Sequence, residues 1–287
     1  MTSVPGSVVP CPDLLPPDNH VHTEFSWDCG PDSSMRAACA KAVALGVPAV
    51  AFTEHLDFTS WAPGDHPLTA HGRPRHPGRY TALDVPAYAE QVQRCREEFP
   101  SLRVRTGIET GEPHLFAGSV AAVLAELAPE RVLGSLHSVV RSGELVGVNR
   151  VLWTEEPHAV VREYFDNLLA MVRGSAVFEV LAHCDFPRRY WPSRGRDGYR
   201  EKDFEEEYRA VFTELAGSGR VLELNTSSPL ASVELVRWWR ECGGRAVSFG
   251  SDAHVPWNVG QRFSLARDVV AEAGFRMGED PLDFARR

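Results

Sequence analysis

Seven places in the chain carry side chains of the kind that hold divalent metal ions: His20-Val21-His22, Glu54-His55, Glu109, His137, His183-Cys184-Asp185, Glu223-Leu224-Asn225 and Asp252-Ala253-His254. Side chains of an extended strand repeat every two residues, so His20 and His22 point to one side and can grip one ion. Asp252 and His254 repeat that geometry with one oxygen and one nitrogen ligand. Imidazole plus carboxylate, with no thiolate, suits Zn, Mn or Fe, and Glu109 could bridge two ions. A lone His-x-His is commonplace as a chance pair or as core histidines. A whole set of such residues is not, because a packed core would carry Val, Ile or Leu there and buried unpaired ionisable groups are costly.

Each of these places closes a short apolar run: 19–22, 49–53, 103–109, 132–137, 178–183, 221–225 and 246–251. Between the runs lie stretches of helical period at 35–45, 86–99, 119–127, 157–173, 204–216, 231–241 and 261–273. Ser33 or Ser34 can cap the first helix and Gly46 can stop it, while Ser228-Pro229 reads as a cap with Pro at the first helical position. Buried runs alternating with amphipathic helices predict βαβ units around a parallel sheet. Seven repeats fit an incomplete or distorted (β/α) barrel, with the candidate ligands at the C-terminal ends of its strands. One domain over 1–287 is expected, behind a Pro-rich leader at 1–17. Two long loops, 57–84 and 186–202, would lie over the catalytic face.

The net charge of -9 argues against a long nucleic-acid track, but not against a small phosphorylated metabolite whose charge bound metals could meet. No G-x-G-x-x-G or Walker A loop is present, which removes the usual nucleotide-cofactor readings. The six cysteines form no CxxC pair and read as reduced thiols of a cytoplasmic protein. No stretch has the character of a signal peptide or a membrane span. His66, His71 and His76 read as solvent-facing, His114 and His158 as surface residues, and Cys29 and Cys184 as small packing residues.

Taken together, these residues resemble the polymerase-and-histidinol-phosphatase (PHP) metal-dependent hydrolases. The matching pieces are His20-Val-His22 with Asp28 shortly after, Thr53-Glu54-His55, Gly107-Ile-Glu109, Gly134-Ser-Leu-His137, His183-Cys-Asp185 and Gly250-Ser-Asp252-Ala-His254. The last, continuing into Val259-Gly260-Gln-Arg262-Phe263, resembles the histidinol-phosphatase branch. The resemblance implies a distorted (β/α)7 TIM-like barrel holding two or three ions. His20, His22, Glu109 and Asp252 would hold the first; Glu109, His137 and His183 the second; Asp28, His55 and His254 the third. Many relatives have a His where this chain has Asp28, and the Glu109 loop, Glu-Thr-Gly-Glu-Pro-His, departs from the usual wording.

The implied activity is hydrolysis of L-histidinol phosphate in histidine biosynthesis, with Glu109, Asp252 and His254 as catalytic candidates. Arg188, Arg189 and Arg262 are candidate phosphate clamps, since guanidinium matches phosphate bidentately. Three alternatives stand beside it: a PHP phosphoesterase for another small phosphate, such as a nucleotide or sugar phosphate; an inactive metal-binding module; and amidohydrolase chemistry. The last commonly bridges its metals with a strand Lys, and no Lys lies in these strands.

Overall fold

The computed structural model describes residues 15–61, 70–71, 83–192, 198–227, 229–278 and 280–287. Seven strands alternate with seven of the helices: β1 (Asp18–Val21), α1 (Met35–Leu45), β2 (Ala49–Leu56), α2 (Val85–Glu98), β3 (Arg103–Gly111), α3 (Ala117–Leu127), β4 (Arg131–Ser135), α4 (Pro157–Gly174), β5 (Val180–Leu181), α5 (Glu205–Gly217), β6 (Val221–Asn225), α6 (Val233–Glu241), β7 (Ala246–Gly250) and α7 (Phe263–Glu272). The strands pair in chain order and all in parallel. A short strand near the C-terminus, β8 (Ala285–Arg286), pairs antiparallel with the start of β7. The ring closes just past β7, where Asp252 N–H donates to His20 O at 2.7 Å and His22 N–H to Ala253 O at 2.8 Å. The β7–β1 seam is thus bridged at its C-terminal end while β8 lies at the other end of β7. That is the distortion of the barrel.

Local chemistry accounts for the element ends. Ser34 caps α1, accepting from Ala37 N–H, and Gly46 ends it with φ 76°, a conformation costly for any residue with a Cβ. Asp84 caps α2, and Glu156 caps α4 with Pro157 at its first position. The inner stripe of α4 buries Val161, Tyr164, Phe165, Leu168 and Val172, each side chain worth about 1.5–3 kcal/mol of transfer free energy.

Two expectations need correction, and one feature was not foreseen. The cap of α6 is Ser232, whose side chain accepts from Leu235 N–H, so Pro229 precedes the helix and does not open it; Ser228 lies outside the described residues. Helix α7 begins at Phe263, because Arg262 takes a left-handed φ of 58°. A small second sheet, for which the sequence carried no expectation, stands between β4 and α4. Its strands Ser138–Arg141 and Glu144–Gly147 form a hairpin, and Ala70–His71 pairs with the latter. The connecting Ser142 and Gly143 both have positive φ, 53° and 83°, as a type I′ turn requires.

The expected leader and both long loops fall partly outside the described residues, as do His66 and His76. Pro16 and Pro17 of the leader are buried. The loop after β5 begins as a 3-10 helix, Phe186–Tyr190, with Phe186 against the rings of His137 and His183. Among the described residues no helix is long and apolar enough to cross a membrane.

Candidate metal centre

The barrel register builds the centre. Pairing of β2 with β3 sets His55 beside Glu109, and closure of the ring brings His20 and His22 against Asp252. The His20 and His22 Nε2 atoms stand 3.0 Å apart. Glu109 Oε1 lies 3.5 Å from His20 Nε2, and its Oε2 3.4 Å from His22 Nε2. Asp252 Oδ1 lies 3.7 Å and 3.5 Å from the same two nitrogens. On the other side of Glu109, His183 Nε2 is 2.8 Å and His137 Nε2 3.5 Å from Oε1. Asp28 receives His254 Nε2 at 3.0 Å and His55 Nε2 at 3.6 Å, while His55 Nδ1 lies 3.0 Å from Glu109 Oε2. All nine candidate ligands therefore meet in one cluster, with Glu109 at its middle.

Asp252 holds a left-handed φ of 52°, rare for a residue with a Cβ. The hydrogen bond from its N–H to His20 O fixes this backbone, so the bond that closes the barrel also aims a ligand.

Carboxylates behind the cluster orient the imidazoles. Glu223 Oε1 meets His20 Nδ1 at 2.7 Å, and its Oε2 accepts from His183 N–H. A methyl group at Gly250 would collide with Glu223 Oε1, so this contact needs glycine. Glu54 accepts from Thr23 N–H and from the Ser26 hydroxyl, whose oxygen lies 3.0 Å from His22 Nδ1. Ser135 donates to Glu109 Oε1 at 2.5 Å. Ser33 donates to the carbonyl of His254. Asp57, at the end of β2, accepts from the Trp27 indole at 2.9 Å and faces both His55 and His137.

Burial makes the electrostatics severe. Burial opposes charging of His20, but Glu223, Glu109 and Asp252 outweigh it and hold its pKa well above the ordinary value. Burial, with His55 and His254 nearby, depresses His22 to about 3. Burial alone would raise Glu109, yet His20, His55 and His137 pull it well below the carboxylate range. Burial raises Glu54 to about 7.

The residues fit divalent ions. Glu109 Oε2, Asp28 Oδ1, Asp57 Oδ1, His55 Nδ1 and His183 Nδ1 are buried and have no hydrogen-bond partner among the described residues. Atoms of this kind are satisfied by coordination or bonding and costly otherwise. Several His, Asp and Glu triplets, among them His20-His22-Glu109 and His22-His55-His254, bring their ligand atoms close enough to share an ion. The donor set is nitrogen and oxygen, as Zn, Mn and Fe accept.

The arginines separate. Arg189 Nη1 binds Asp252 Oδ2 at 2.6 Å, while its Nε and Nη2 are buried without a partner among the described residues. Arg188 is tied to Glu201 Oε1 at 2.5 Å and to Leu230 O. Arg262 is exposed at the start of α7. Cys29 and Cys184 are buried and in no disulfide among the described residues, and the Cys29 thiol donates to the His254 carbonyl at 3.8 Å. His158 and His114 are both half-buried, His158 against Trp191 and Phe204 and His114 against Gly174, more enclosed than surface residues. Sequence reasoning marked Glu54 and Glu223 as strand-end residues without a role, and passed over Asp57, Ser26, Trp27 and Ser135. For the two glutamates the available signal was an acidic side chain within an apolar strand.

The PHP domain model matches residues 18–227. The chain is 25% identical over 270 residues to a histidinol-phosphatase of Lactococcus lactis, covering 90% of this chain and 91% of that protein. It is 28% identical over 273 residues to a probable histidinol-phosphatase of Deinococcus radiodurans, covering 90% and 94%. Among solved structures it resembles the L. lactis histidinol phosphate phosphatase complexed with Zn, L-histidinol and phosphate. That match has a TM-score of 0.74 at 21% identity, over 94% of this chain and 99% of the other. A putative histidinol phosphatase from Listeria monocytogenes gives a TM-score of 0.72 at 17% identity, over 86% and 98%. The likeness in fold, the matched domain and the strand-end ligands agree: this chain belongs to the PHP domain family.

Proposed function

We propose that this protein is a metal-dependent phosphatase that hydrolyses L-histidinol phosphate to L-histidinol and phosphate. The observation that carries the reading is likeness to histidinol-phosphatases along about nine-tenths of both chains. The buried ligand cluster supports it. Its nine residues would hold two or three ions in the groups given above, zinc being the ion in the related L. lactis complex. Bound ions would supply Lewis acidity and positive charge to the phosphoryl group and to an attacking water.

The remaining work falls to the chain's own residues. Arg189, half-buried and with two buried nitrogens that have no partner among the described residues, is the phosphate clamp that fits best. Arg188 is already engaged by Glu201, and Arg262 could reach only from the rim. As water adds to phosphorus and the P–O bond to the alcohol breaks, the leaving oxygen needs a proton. With two ions bound and the third group unfilled, His254, the most open of the nine at 25% side-chain exposure and paired with Asp28, is placed to hold that proton. Glu109 and Asp252 keep the ligands in register. Phe186, tilted against the rings of His137 and His183, walls the site against water. The five described cysteines form no disulfide with one another, which fits a reducing cytoplasm.

The test is release of inorganic phosphate from L-histidinol phosphate after reconstitution with Zn, Mn or Fe. Much faster turnover of a nucleotide or sugar phosphate would overturn the substrate. No turnover of any phosphomonoester by a metal-loaded protein would favour an inactive module.

A further inference from the structure

Asp57 is absent from the ligand groups above, yet its carboxylate faces an imidazole from each of two of them, His55 and His137. Its Oδ2 lies 3.4 Å from His55 Nδ1 and its Oδ1 3.8 Å from His137 Nδ1. These two rings turn their other nitrogens the opposite way: His55 Nε2 toward Asp28 at 3.6 Å, and His137 Nε2 toward Glu109 at 3.5 Å. A carboxylate behind a ligating imidazole fixes its tautomer and ring angle and raises its basicity.

The seat of Asp57 is built. The Trp27 indole N–H, from the loop after β1, donates to Oδ2 at 2.9 Å. A methyl group at Gly111, at the end of β3, would collide with Oδ1. Asp57 Oδ1 is buried and has no hydrogen-bond partner among the described residues. Residues at or after three successive strands thus converge on one side chain, held beside a nitrogen of each ring; the His55 nitrogen also lies 3.0 Å from Glu109 Oε2.

We infer that Asp57 is a positioning residue shared by the His137 and His55 sites, so that the second and third ions are held through one common carboxylate while the His20–His22 ion is not. The inference rests on the ligand groups of the proposed function.

The experiment is a zinc-binding isotherm of the full chain against a competing chelator, with bound metal counted by mass spectrometry. Two variants are compared with the wild type: Asp57→Ala, which removes both acceptor oxygens, and Gly111→Ala, which displaces Asp57 without altering any charge. His55→Ala and His137→Ala mark the two individual sites, and circular dichroism checks folding. In both test variants the two binding steps that His55→Ala and His137→Ala identify should shift together by about 10–100-fold, with the remaining step unchanged. A shift in one step alone, an equal shift in all three, or none would overturn the inference. Should Asp57→Ala fail to fold, Gly111→Ala decides alone. A wild-type chain that bound no zinc would overturn the ligand assignment and this inference with it, whereas normal wild-type binding with unshifted variants overturns the inference only.

Discussion

The two ends of the barrel use the same strands for opposite purposes. In β4 and just beyond it, Leu133, Ser135 and His137 share one face by the two-residue repeat. Leu133 belongs to an apolar cluster with Val180, Ala182, Val221, Ala246 and Phe284. Ser135 donates to Glu109, and His137 is a candidate ligand. Along β6 the series Val221, Glu223, Asn225 makes the same change, as does Ala246, Ser248, Gly250, Asp252 along β7. The environment thus passes from hydrocarbon to ionisable within about 7–20 Å, two to six residues at the rise of a strand. At the lower end, removal of apolar area from water is stabilising by itself. At the upper end, desolvation of charges is unfavourable and is offset only by pairing or by ions. Segregating the two lets one rigid scaffold carry a destabilised site.

Four measurements would break or sharpen that contrast. Chelation should have the largest effect: phosphatase activity should vanish and return with added zinc. The thermal midpoint should also fall, since a ligand at a hundredfold excess over its Kd contributes about 2.7 kcal/mol. An unchanged midpoint would mean that the cluster balances its own charges. Next, Glu109→Gln removes the charge that faces five imidazoles, and kcat/KM should drop by more than about 100-fold with loss of bound metal, beyond the effect of any outer partner. Glu223→Gln should weaken zinc binding by about 10–100-fold through His20, seen as a shifted isotherm with a normal far-ultraviolet spectrum. Smallest in turnover, Leu133→Ala should cost about 2–5 kcal/mol in stability, read by urea unfolding, while kcat per folded molecule stays unchanged. A matching fall in kcat would show that the two ends are not independent.

Much of the fold was legible in the sequence because a strand buried on both faces and an amphipathic helix differ in apolar period. All seven strand–helix repeats could be found this way, with their boundaries within a few residues. The 138–147 hairpin could not, since its strands are short and half-exposed and its turn is a single Ser-Gly pair. The helix starts at Val233 and Phe263 depended on which serine capped and on one left-handed residue, choices that several nearby residues could have satisfied. Within the site, His20-x-His22 and Asp252-x-His254 declared themselves by spacing. Glu223 did not, because its partner His20 is 203 residues away. Asp57 likewise looked like the first residue of a loop.

By itself, then, the sequence determined the alternation of elements, the residue types at the strand ends and, through resemblance, the family. Those depend on local period and on side-chain chemistry, both written along the chain. Only the tertiary structure decided that Glu109 sits at the middle, that Arg189 and not Arg188 faces Asp252, and that Glu54, Asp57 and Glu223 stand behind the ligands. Those facts depend on strand register and barrel closure, which bring together residues that the chain keeps apart.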